Sequence, residues 1–130
     1  MKVLKISIEG LPLFSGRTEI DFTATQRVAP ESADKMTLLF SQNSQNYYLN
    51  NVLSFIGINA SGKTTVLKTI AFVLKMLNNE SINTVEYTEI FDGMREGQSV
   101  TFDVYFSSGD FIYYLHTVIE KRGKLRIKEE

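Results

Sequence analysis

The chain has 130 residues, 14 Lys and Arg against 15 Asp and Glu, a net charge of −1, and 43% hydrophobic residues. That is the composition of one ordinary globular domain, which excludes a disordered or collagen-like chain. The absence of Cys and the single His exclude disulfides, thiolate metal sites, Cys nucleophiles and any multi-His metal centre within the chain.

The opening residues 2–9 alternate Val3, Ile6 and Ile8 with Lys2, Lys5, Ser7 and Glu9, which predicts a strand with an early irregularity. Lys5 interrupts any signal-like apolar stretch, so no export is expected and the localisation reads as cytoplasmic. Gly10, Pro12 and Gly16 mark a turn, and residues 19–23 alternate again, as a strand pairing back on the first. Residues 25–36 read as a polar surface loop with one helical turn, Leu38 to Phe40 as an apolar island, and residues 41–51 as loop.

Residues 52–56, Val-Leu-Ser-Phe-Ile, form a compact apolar run of the kind found in a strand buried on both faces. A helix is predicted over residues 63–78, with Val66, Leu67, Ile70, Val73, Leu74 and Leu77 as its stripe and Phe72 and Met76 widening it. Residues 81–98 read as loop with short elements. The tail reads as an antiparallel meander: a strand through Val100, Phe102, Val104 and Phe106, a turn at 107–110, a second strand over 111–120, a turn at 121–124, and the start of a third strand. No apolar run reaches the roughly 18 to 20 residues of a membrane span, so no membrane insertion is expected.

Between the apolar run and the helix stands Gly57-Ile58-Asn59-Ala60-Ser61-Gly62-Lys63-Thr64, which matches G-x-x-x-x-G-K-[ST]. The residue types suit a phosphate. Gly57 and Gly62 permit a tight turn and close backbone approach. Successive backbone N–H groups line a concave anion nest, and the helix start adds unpaired N–H groups and a positive dipole end. Lys63 supplies an ammonium for the β- and γ-phosphates, and the Thr64 hydroxyl is the expected Mg²⁺ ligand.

With Asn59 at its third place and Thr65 after it, this loop resembles the Walker A loop of ABC-type ATPases. It is closer to the SMC- and RecN-like or OLD-type AAA branch than to transporter subunits. The resemblance implies an α/β fold: a P-loop N-terminal lobe with a mixed sheet around the Walker A helix plus an antiparallel β meander. It implies Mg-ATP as ligand, held by residues 57–65, and hydrolysis of ATP between two heads arranged as a head-to-head homodimer. The Walker B strand and the signature motif of such an ATPase have no match here. Glu89-Ile90-Phe91-Asp92 has too short an apolar run, and Leu13-Phe14-Ser15-Gly16 lies upstream of the loop.

The expectation is therefore one nucleotide-binding lobe over residues 1–130, with strands, loop and helix in 1–80 and the meander in 99–130. It would be the N-terminal part of a longer ATPase, partnered by its own missing C-terminal lobe and inactive alone. The alternatives are a fragment of a transporter's nucleotide-binding subunit or a non-catalytic nucleotide-binding module. Nucleic acid stays open as a partner that the net charge does not favour; Lys121, Arg122, Lys124, Arg126 and Lys128 read as a solvated turn. His116 reads as a packed or half-exposed strand residue rather than a ligand, Asp92 and Asp103 as solvated carboxylates with nothing paired to them, and the aromatics of 102–114 as cross-strand packing rather than a stacking platform.

Overall fold

The computed structural model describes residues 1–14, 16–24, 27–57 and 62–130. Its main element is a five-stranded sheet in the order β2-β1-β5-β6-β7, in which every neighbouring pair is antiparallel. The strands are β1 (Lys2–Glu9), β2 (Thr18–Asp21), β5 (Ser99–Ser108), β6 (Phe111–Arg122) and β7 (Lys124–Glu129). A separate hairpin comprises β3 (Thr37–Gln42) and β4 (Gln45–Leu49). A four-residue helix α1 (Pro30–Ala33) precedes the hairpin, and the long helix α2 spans Lys63–Leu77. A single 3₁₀ turn covers Thr88–Phe91.

The expected α/β lobe with a mixed sheet around the helix is not what forms. The described residues are 41% strand and 19% helix, with one substantial helix. The physical reason lies in residues 52–57, which form no strand. Val52 is 81% exposed and Ile56 is 95% exposed. A strand buried on both faces needs partners on both sides, and the described residues provide none. α2 therefore packs on one face of an antiparallel sheet instead of lying within a doubly covered one.

Period-two alternation builds that face. Ile6, Ile8, Val100, Phe102, Val104 and Ile119 are buried on it, with Thr117. α2 lays Phe72, Val73 and Met76 over them. Phe72 meets Phe91 edge-on at 5.0 Å between ring centroids and Phe102 at 5.8 Å. The residues expected to widen the helix stripe are thus its centre, while Leu67 and Leu74 are exposed.

Several other expectations hold in outline. The irregularity in β1 is a register shift between Val3 and Lys5, and β2 pairs back on β1. Gly10, at φ +94, closes β1 where an added Cβ would lie 2.6 Å from the Ser99 carbonyl oxygen, so no other residue fits there without moving the backbone. Cross-strand partners Tyr105–Tyr114 and Phe106–Tyr113 bring their rings to 4.9 and 5.4 Å.

The β3–β4 hairpin lies where loop was expected. Asn43 and Ser44 both take positive φ, 50° and 62°, as a two-residue hairpin turn of this hand requires, and Asn is one of the few residues that tolerate it. The hairpin joins the rest of the chain through a bridge between Thr23 and Leu49 and through Asn50 N–H donating to the Phe22 carbonyl.

Truncating Phe72 removes a fully buried ring from the helix–sheet contact. Phe72→Ala should lower unfolding stability by about 3 to 5 kcal/mol in urea titration, whereas Leu74→Ala, on the exposed side of the same helix, should change it by less than about 1 kcal/mol.

Candidate functional site

The described end of the G-x-x-x-x-G-K-[ST] motif, Gly62 to Thr64, falls at the start of α2. Gly62 is the residue before the helix and adopts a left-handed conformation, φ 83° and ψ 5°, which glycine enters without strain. Its carbonyl accepts the first helical bond, from Val66 N–H at 2.9 Å. Lys63 is the first helical residue, Thr64 is exposed in the first turn, and Thr65 is half-buried, its carbonyl accepting a 2.7 Å bond from the Thr69 hydroxyl. No acidic residue occupies that first turn.

The two ends of the motif are brought together. Lys63 Nζ donates to the Gly57 carbonyl oxygen at 2.7 Å, bridging six positions. Ile58, Asn59, Ala60 and Ser61 lie outside the described residues. The described parts fit a phosphate ligand: a helix start without an acid, a glycine in the conformation that opens the turn, an ammonium aimed across the loop's ends, and an exposed hydroxyl beside it. α2 itself is held by Lys68, which pairs with Glu89 of the 3₁₀ turn at 2.8 Å.

A second cluster lies on the opposite face of the sheet. Asp103 is only 7% exposed and serves donors from two directions. Its Oδ1 accepts from the Tyr114 hydroxyl at 2.6 Å and pairs with His116 Nδ1 at 2.7 Å, and its Oδ2 accepts from Arg17 Nη2 at 3.1 Å. An ionised carboxylate can only accept, so the imidazole carries its proton on Nδ1 in this pair. Beside it, Glu19 accepts from Ser7 at 3.1 Å and pairs with Lys5 at 2.9 Å.

Asp103 is therefore not the solvated carboxylate without a partner that the sequence suggests, whereas His116 is the half-exposed strand residue expected. They are direct partners across the β5–β6 ladder. The pairing was hidden because cross-strand neighbours are thirteen positions apart and depend on register. Their shared parity on the outward side of two alternating strands was the available signal.

Burial pushes the Asp103 carboxyl up. The hydrogen bonds from Tyr114 and His116, with the charges of His116 and Arg17, pull it down by more, leaving it below the ordinary value of 3.8. The hydrogen bond to Asp103 is the main cause holding the Tyr114 hydroxyl above the usual 10.0.

No helix among the described residues is long and apolar enough to cross a membrane. Comparison with protein-family models, with curated proteins and with solved structures gave no match.

A carboxyl whose folded value is depressed contributes stability above the unfolded value and loses it as pH falls through the folded one. Asp103 should therefore add to acid sensitivity below pH 3.8, the unfolded value. In thermal melts from pH 6 to pH 2, Asp103→Asn should start less stable and lose less on acidification than the unaltered protein.

Proposed function

We propose that residues 57–65 bind the triphosphate of a nucleotide with Mg²⁺, ATP being the nucleotide the loop's resemblance favours. The observation that carries this reading is the placement of Lys63, at the first position of α2 with its ammonium 2.7 Å from the Gly57 carbonyl. A glycine turn that merely joined two elements would need neither that lysine nor the hydroxyl of Thr64. Backbone amides of the turn and the start of α2 would face the phosphate oxygens. Lys63 would exchange its carbonyl partner for phosphate oxygens, and Thr64 would hold the cation, which keeps water at its remaining positions.

The proposal is for binding. Turnover of ATP belongs to a longer ATPase that supplies the Walker B acids and the signature motif, with two heads facing each other. Lys63 would then stabilise charge developing on the transferred phosphoryl group.

Binding to the folded state alone raises apparent stability by about 2.7 kcal/mol at a hundredfold excess over Kd. Mg-ATP should raise the melting temperature of the unaltered protein, and inorganic triphosphate with Mg²⁺ should do so in part. Lys63→Ala should abolish most of the shift while leaving the ligand-free melting temperature within a few degrees. An equal shift in Lys63→Ala would overturn the assignment. ATP hydrolysis by this chain should be indistinguishable from the buffer blank.

A further inference from the structure

The β3–β4 hairpin stands over the outer face of the sheet, and a cavity of about 380 Å³ lies between them. Leu4, Tyr105 and Ile112 line it from the sheet, and Leu39, Phe40, Tyr47 and Tyr48 from the hairpin. Thr23 and Ala24 also line it and carry main-chain links between the two walls. Ala24 N–H donates to the Tyr48 carbonyl at 2.9 Å, and Thr23 bridges to Leu49. Cavities that hold small organic molecules span roughly 300 to 1,000 Å³ and are lined mainly by apolar and aromatic side chains with a few placed polar groups. This one fits both descriptions. Phe40 and Tyr47 are cross-strand partners whose rings stack at 4.7 Å. Phe40, Tyr47 and Tyr105 are still 38%, 42% and 40% exposed, so a ligand has ring surface left to cover.

Two charged residues line the same cavity, Lys5 and Asp21. They stand opposite one another across the β1–β2 ladder, yet Lys5 Nζ is committed to Glu19 at 2.9 Å. Arg17 in turn pairs with Asp103 at 3.1 Å. Each cation on this part of the outer face therefore answers a carboxylate, and Asp21 is the one left over. Among the described residues it makes no ion pair. Its Oδ1 takes both bonds from Thr23, at 2.8 Å from the amide and 2.6 Å from the hydroxyl, which leaves Oδ2 for a ligand. Aromatic ring faces carry partial negative charge and attract cations as well as apolar groups. Rings and surplus carboxylate thus ask for the same head group, a positive one.

We propose that the cavity between the hairpin and the sheet binds a small hydrophobic amine, its ammonium against Asp21 and the aromatic rings and its apolar body against Leu4, Leu39 and Ile112. This site asks nothing of residues 57–65 or of a nucleotide.

The test uses three probes with one body and different heads: para-tert-butylbenzylamine, para-tert-butylbenzyl alcohol and para-tert-butylbenzoate. Each is titrated into methyl-labelled protein at neutral pH, low salt and without nucleotide. The amine should bind tightest and the benzoate weakest, with the methyl signals of Leu4, Leu39 and Ile112 moving. Asp21→Asn keeps an oxygen for Thr23 and should weaken the amine about threefold to fivefold while leaving the alcohol unchanged. Tyr105→Leu keeps an apolar wall without the ring and should cost the amine more than the alcohol. Should either variant not fold, the order of the three probes on the unaltered protein still decides. The proposal is overturned if no probe binds, if the benzoate equals or exceeds the amine, or if Asp21→Asn leaves the preference unchanged. It is also overturned if the methyl shifts fall outside the cavity, or if they appear with rising protein concentration alone, as a second copy seated there would cause.

Discussion

One contact organises the molecule: the Phe72 ring between Phe91 and Phe102. It joins α2, the 3₁₀ turn and the central strand β5 into a single apolar cluster. The start of α2 inherits its position from that contact, and so do Lys63, about two and a half turns earlier on the same helix, and Gly62, which precedes it. Burying a phenylalanine is worth more than any surface ion pair near the motif, so the Lys68–Glu89 pair refines a placement that packing has already made. The Gly62–Lys63 end of the motif is thus anchored from behind, by an apolar ring, while Gly57 and Thr64 are exposed.

The outer face of the sheet follows a different logic. There polar groups are paired rather than removed from water, and nearly buried Asp103 is satisfied by Tyr114, His116 and Arg17. A buried carboxylate without such partners would be strongly destabilising. The sheet therefore has one face that excludes water and another whose order comes from directed hydrogen bonds. Between them runs the β7 edge, where Asn83 satisfies the backbone groups of Leu125, while Glu96 accepts from Gly123 in the turn before it.

Local pattern made the meander, the pairing of β1 with β2 and the length of α2 legible, because each depends on neighbours within a few positions. Residues 52–56 show where that kind of reading ends. Their apolar run promised a strand, but a strand exists only through partners, and partners are not written in the run itself. The β3–β4 hairpin was missed for the opposite reason. Its signal was two residues, Asn43 and Ser44, in a stretch whose Ser, Asn and Gln content reads as loop. The motif at 57–64 was readable in full as residue types, since its chemistry is contiguous. The Asp103 cluster was not, since Arg17 and Asp103 stand 86 positions apart. Asn83 was invisible for the same reason, being 42 positions from the strand it serves.

The Asp103 carboxylate has a mechanical consequence. Arg17 belongs to the turn before β2, and Tyr114 and His116 belong to β6, so one side chain ties segments that the strand order separates by two intervening strands. A load applied to β6 reaches that turn through a rigid lateral strut as well as through the ladder. Shearing β1 against β5 must therefore break the strut together with the backbone rungs. The sheet should yield as a block, and its first slippage should occur at β7, which lies beyond the strut's reach.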